Sequence, residues 1–228
     1  MSRPQPKRVR KSPEERRAEI VAAASAIALA EGLECVTLRR VADELAVRPG
    51  LISHYFPVTE DLVAEAFGDA ASAELDDLIP AVRPGGAVSH LARFFALTSG
   101  PRYDGMSRLW LNARHLSRYR DTLRERVNHQ EFLWRERLAA LLRDGDAAGE
   151  FRAPEPELTA MRVLVVMDGL ASHANTGRDV HPDPVKRMAA ATAERELGLP
   201  EGRLAAPVPS PSTPPSTPPP ASPSTAPA

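Results

Sequence analysis

The twenty residues from Thr37 to Phe56, TLRRVADELAVRPGLISHYF, constrain the fold more than any other stretch of the chain. Thr37 is a good helix N-cap, and Val36 before it pairs with Val41 in the following helix to staple the cap with an apolar contact. Leu38, Val41, Ala42 and Leu45 then recur at spacings of three and four, with Arg39, Arg40, Asp43 and Glu44 opposite, so one face packs and one is solvated. Ala46 and Val47 supply a small residue and an apolar plug, and Pro49 takes a first-turn position where its missing N–H costs nothing. The second helix sets Ile52 and Phe56 inward, one turn apart, and leaves Gly50, Leu51, Ser53, His54 and Tyr55 outward or toward the seam. Helix, tight turn, second helix is the arrangement whose second member lies in the major groove of DNA.

The remaining pattern is helical too. Ser12-Pro13-Glu14-Glu15 is a capped start, Ile20, Ala23, Ala24 and Ile27 give the helix after it a buried stripe, and Gly32 stops it. Further helices are expected over 59–79, 87–97, 105–118, 122–142, 156–175 and 184–197. The turns between them are Pro84-Gly85-Gly86, Ser99-Gly100-Pro101, Asp144-Gly145-Asp146 and His181-Pro182-Asp183-Pro184. No alternating β-branched run is long enough for a strand, so the fold class is all-α: a three-helix helix-turn-helix domain over 14–74 and a larger helical bundle over 75–200.

Both ends differ in kind. Arg3, Lys7, Arg8, Arg10, Lys11, Arg16 and Arg17 crowd the start against only Glu14 and Glu15. Residues 1–13 therefore read as a disordered basic arm able to follow phosphates or enter a minor groove. Residues 201–228, ending in a run of Pro, Ser, Thr, Ala and Val, have no means of burying a core and read as a disordered tail. Net charge is −1 over 228 residues, so positive charge is local, not global. The one cysteine, Cys35, makes no internal disulfide, and the opening residues carry no apolar signal core. The apolar run Val163 to Met167 is too short for a bilayer. The expectation is a cytoplasmic protein with no metal, cofactor or membrane partner. The six histidines form no HExxH pair or Cys-His ligand set, and no nucleophile elbow or phosphate-cradling glycine loop is present, so no enzyme is expected.

The run Gly50 to Phe56 followed by Glu60, Asp61 and Leu62, continuous with an alanine-rich helix ending in Glu31-Gly32, resembles the signature of the TetR family of bacterial transcriptional regulators over about residues 14–67. Its Ser-His-Tyr-Phe version is similar to the branch that holds the choline-responsive BetI regulators. Two positions depart from the family. Arg48 stands where a Ser-like cap is usual, giving up the cap and adding a cation. Thr59 stands where Lys is common, removing a cation near the phosphates but keeping a hydroxyl for capping or donation. The DNA face so expected comprises Thr37, Arg39, Arg40, Arg48, Pro49, Gly50, Leu51, Ser53, His54, Tyr55 and Thr59. Within it, Tyr55 and Thr37 would hold phosphates while Leu51, Ser53 and His54 would reach base edges.

The resemblance implies a homodimer on a palindromic operator, released by a small-molecule effector and so a repressor. It sets the dimer contact on the last two helices, about 156–175 and 184–197. There Leu158, Met161, Val165, Gly169 and Met188 are the candidate residues, on a first helix apolar around most of its circumference. Candidate effector-lining residues are Trp110, Arg114, His115, Phe132, Trp134, Asp168 and His173, where rings beside a carboxylate would suit a cationic ligand. Two rivals stay open: a helical small-molecule carrier or protein-interaction scaffold whose operator reading has decayed, and an all-α enzyme using an apolar pocket.

Overall fold

The computed structural model describes residues 11–98, 103–176 and 183–205. Helix α1 (Pro13–Glu31) opens with a reciprocal capping box: Glu15 N–H donates to Ser12 Oγ at 3.1 Å and Ser12 N–H to Glu15 Oε2 at 2.7 Å. It ends at Gly32, whose φ of 104° is a conformation that glycine alone adopts cheaply. A single 3₁₀ turn over Leu33–Cys35, absent from the sequence expectation, leads into α2 (Leu38–Glu44) and α3 (Pro49–Tyr55). The staple residues Val36 and Val41 are both buried, as are Ile52 and Phe56, so α2 and α3 pack through the positions that their spacing selected.

Helix α4 (Thr59–Leu78) buries Leu62, Val63, Ala66, Phe67, Ala70, Ala71 and Leu75 and packs against α1 on one side and α7 on the other. It runs unbroken through residue 74, the expected domain boundary. Its first residue is Thr59 and its N-cap is Val58, with no side-chain cap; the cap expected from the Thr59 hydroxyl does not form.

The bundle continues with α5 (Ala87–Thr98), α6 (Asp104–Leu116), α7 (Asp121–Ala147), α8 (Pro156–Thr176), α9 (Asp183–Lys186) and α10 (Met188–Leu197). Three boundaries correct the expectation. The Asp144-Gly145-Asp146 turn is instead part of α7, and Gly145 is there for space: a Cβ on it would stand 2.1 Å from Phe151 Cζ. The helix expected over 184–197 is two helices, broken at Arg187. The ordered bundle also passes residue 200. Buried Glu194 accepts the N–H groups of Gly202 at 3.0 Å and Leu204 at 2.7 Å, and Leu204 is buried, so 201–205 belong to the core rather than the tail. Residues 206–228 and 1–10 lie outside the described residues. Of the expected basic arm, Lys11 bonds Glu19 at 2.5 Å and Arg16 shares that carboxylate. Arg17 pairs with Glu65 on α4 and lies over the Phe56 ring at 4.8 Å.

Candidate functional site

At the N-terminal end, the turn between α2 and α3 is closed by Val47 N–H donating to Ala42 C=O at 2.9 Å and Ala46 N–H to Asp43 C=O at 3.2 Å. Ala46 takes φ 51°, a left-handed conformation that costs a residue with a Cβ about 1 kcal/mol. The turn sets α3 with Pro49, Gly50 and His54 exposed and Leu51, Ser53 and Tyr55 half-buried. His54 meets the Tyr55 ring edge-on, centroids 5.3 Å apart, while the Ser53 hydroxyl donates to Gly50 C=O at 3.3 Å. Nothing lies within 4 Å of a Cβ built on Gly50, so this part of α3 is open to an incoming surface. Tyr55 also borders a cleft of about 370 Å³ shared with Arg17, Glu65, Arg126 and His129.

The cations around this face are unequal. Arg39 and Arg48 are exposed and carry no ion pair among the described residues, and Arg48 N-caps α3 without a side-chain bond. Arg40 is committed elsewhere. Its Nη2 lies 2.6 Å from Glu31 Oε1 at the end of α1 and its Nη1 2.8 Å from Glu44 Oε2, contacts that raise the guanidinium's pKa and hold the Glu31 carboxyl below its usual range. Thr37 spends its hydroxyl oxygen on the Arg40 N–H at 3.1 Å, and Thr59 is half-buried in the first turn of α4.

A second site lies in the bundle. Helices α6, α7 and α8 surround a cavity of about 280 Å³ lined by Tyr103, Ser107, Trp110, Leu111, Arg114, Glu131, Trp134, Arg135 and a strip of α8 from Met161 to Ser172. Four expected lining residues meet there: Trp110, Arg114, Trp134 and Asp168. The other three do not. His115 is exposed and meets Tyr119 edge-on, Phe132 is exposed under the Arg135 guanidinium, and His173 is exposed on α8. The reason is helical phase, since Trp110 and Arg114 share one face of α6 and the next residue turns away.

Three of the cavity's charges are joined in one cluster. Arg114 Nε donates to Glu131 Oε1 at 2.8 Å, its Nη1 and Nη2 reach the two Asp168 oxygens at 3.0 and 2.9 Å, and its guanidinium lies 4.9 Å from the Trp110 ring centroid. Burial pulls the Arg114 pKa down, but Asp168 and Glu131 more than offset it and leave it raised. Burial raises the Asp168 pKa, and Arg114 brings it only part of the way back. Behind the wall stands Glu74 of α4, which sequence reasoning missed. Its Oε2 accepts the Trp110 Nε1–H at 2.9 Å, and its Oε1 is buried with no hydrogen bond of good geometry, although the Tyr103 hydroxyl is near enough to favour the ionised form. Burial pushes its carboxyl up to about 7 and takes the Tyr103 hydroxyl well above its ordinary range.

The two sites are tied by one amide. Asn112 of α6, next to the cavity residue Leu111, accepts the Leu33 N–H through Oδ1 at 2.9 Å and donates through Nδ2 to Glu34 Oε1 at 2.8 Å. Leu33 and Glu34 form the turn that feeds α2. Of the expected dimer residues, Met161, Val165, Gly169 and Met188 are exposed and Leu158 is half-buried, and Met161 and Val165 also border the cavity.

A helix-turn-helix joined through one long helix to a helical bundle is the arrangement of a DNA-binding regulator. The family model for bacterial regulatory proteins of the tetR family matches residues 20–66, and that for the C-terminal domain of BetI-type transcriptional repressors matches residues 88–198. The chain belongs to the TetR family of transcriptional regulators. No curated protein matches it. Among solved structures it is similar to one from Saccharomonospora viridis, described as a transcriptional regulator in complex with choline. That pair has 22% identity and a TM-score of 0.64, over 81% of this chain and 98% of that one. It is also similar to a TetR transcription regulator from Haloarcula marismortui, with 20% identity and a TM-score of 0.64 over 81% and 97% of the two chains. GusR of Salmonella enterica gives 18% identity and a TM-score of 0.63 over 82% and 98%.

Proposed function

We propose that the chain is a homodimeric repressor that reads a palindromic operator with α3 and is released by a small cationic effector held among α6, α7 and α8. The observation that carries the DNA half is the open face of α3, Gly50 to Tyr55, flanked by the guanidiniums of Arg39 and Arg48, which have no ion pair among the described residues. Free cations neutralise phosphates and side chains in the groove read bases, so Arg39, Arg48 and Tyr55 position the helix while Leu51, Ser53 and His54 reach base edges. Arg40 serves this face indirectly, by tying α2 to the end of α1.

Two copies are required because one seven-residue recognition helix covers only a few base pairs. The exposed apolar strip of Met161, Val165 and Met188, with Gly169 allowing close approach, is the surface that a second copy covers. The effector reading is supported by the aromatic, carboxylate-bearing cavity and by the choline held by the S. viridis protein. The test is a gel-shift titration against DNA upstream of the protein's own gene. A salt-sensitive, sequence-selective shift with two protomers per site, lost in Tyr55→Ala, is expected; the same shift on unrelated DNA would overturn the proposal.

A further inference from the structure

Helix α4 carries a line of carboxylates, most of them matched to an arginine. Glu60 lies 3.6 Å from Arg120, Asp76 3.0 Å from Arg137 and Asp77 3.4 Å from Arg93, while Glu65 pairs with Arg17. Glu74 has no such match. At the cavity wall, Glu131 and Asp168 divide Arg114 between them, so the carboxylate named from sequence, Asp168, already has a cation against it. That leaves Glu74, with one buried oxygen unpartnered, as the carboxylate of this cluster without a cation among the described residues.

We infer that Glu74 supplies the negative charge that selects a cationic effector, at the Tyr103 and Trp110 end of the cavity. This deepens the effector half of the proposed function and rests on it. A buried carboxylate with an orphan oxygen is costly, and a cation held against the Tyr103 and Trp110 wall in front of it offsets that cost in a way that a neutral ligand of equal shape cannot. The neighbouring indole already shows its competence: Trp110 holds a guanidinium over its face while donating its N–H to Glu74, which enriches the ring that a cation meets.

The charge is also conditional. Burial places the Glu74 carboxyl at about 7, so near neutrality it is divided between a protonated form that offers nothing to a cation and an ionised form that does. The groups around it are Tyr103 and Arg114 on the α6 side, Glu131 on α7 and Asp168 on α8; Arg137 of α7 and Arg93 of α5 turn to Asp76 and Asp77. Cation binding therefore expels a proton, and affinity rises through neutrality by about tenfold between pH 6 and pH 8, as expected for one ionisation centred near 7.

The chain's two tryptophans both line this cavity, so intrinsic fluorescence reads it directly. The full-length protein is titrated with choline, tetramethylammonium and the neutral carbon isostere of choline at pH 6, 7 and 8, alongside Glu74→Gln and Asp168→Asn. Expected are saturable quenching by the two cations, at least tenfold weaker binding of the isostere, and tighter cation binding at higher pH. Glu74→Gln is expected to lose both the preference and the pH dependence, and Asp168→Asn to keep the pH dependence. Cation binding that Glu74→Gln leaves unchanged, or no quenching by either cation, overturns the inference. Quenching by the isostere alone also overturns it while leaving an effector cavity in place, and loss of the operator shift would instead count against the DNA half.

Discussion

The two ends of the molecule treat charge in opposite ways. At the proposed DNA face, Arg39 and Arg48 are exposed with no ion pair among the described residues, while Arg40 is paired and serves as a strut between α1 and α2. In the bundle, Arg114 is clamped by two carboxylates and an indole, and it is a carboxylate, Glu74, that has no cation among the described residues. On the proposed function, such a charge is where each end receives something from outside. A paired charge marks architecture.

The largest expected effect comes from removing the buried exception. In the unfolded chain Glu74 ionises near its ordinary 4.5, whereas in the fold it holds its proton up to about 7. Between those values the folded state binds more protons than the unfolded one, so stability falls as pH rises and the cost is complete above 7. Glu74→Gln keeps an acceptor for the Trp110 N–H and removes the cost. Chemical denaturation is expected to find it more stable than wild type by up to about 3 kcal/mol at pH 8, converging with wild type below pH 5. A difference independent of pH would show that Glu74 is not a strained charge.

Next in size is the exposed pair. Arg39→Ala with Arg48→Ala is expected to leave the melting temperature unchanged while weakening operator binding by one to two orders of magnitude at moderate salt. Each lost phosphate contact takes roughly 0.9 from the slope of log affinity against log salt, so the slope should fall by about two per protomer. Arg40→Ala should do the reverse, lowering thermal stability and leaving the salt slope nearly intact. If Arg40 changed the slope as much as the other two, the distinction between struts and open cations would fail.

The link between the ends predicts a smaller effect. Asn112→Ala deletes the acceptor of the Leu33 N–H and the donor to Glu34, loosening the turn before α2 from the cavity helix. The loss of two modest hydrogen bonds is worth on the order of 1 kcal/mol, and amide exchange at Leu33 to Cys35 should speed about fivefold while the α8 core stays protected. Unchanged exchange at Leu33 would mean that Asn112 does not hold the turn to the cavity helix.

How far the sequence could be read follows the same division. The N-terminal helices announced themselves because their signals are local: a cap at Thr37, a staple from Val36 to Val41, a proline at the first turn of α3. Glu74, Tyr103 and Asn112 were invisible because each matters through a partner far along the chain, and a lone Glu on an acidic helix looks like solvated surface. Residue type alone puts His115 and Phe132 at the cavity, whereas helical phase turns both to the exposed side. Gly145 was read as a breaker because nothing in its neighbours reveals that Phe151 needs the room.

The smallest test lies within the turn that sets α3. Ala46 at φ 51° bears a Cβ penalty of about 1 kcal/mol that glycine escapes, but glycine also loses about 0.4–1 kcal/mol more chain entropy on folding. The two nearly cancel, so Ala46→Gly should change stability by less than about 0.5 kcal/mol. Ala46→Val has no such offset: a β-branched side chain in the left-handed region should lose at least about 1 kcal/mol. Calorimetry on the pair separates strain that belongs to the turn from strain imposed by the bundle. A clear gain for glycine would show that the DNA-reading end stores strain in its backbone, where the cavity end stores it in a buried charge.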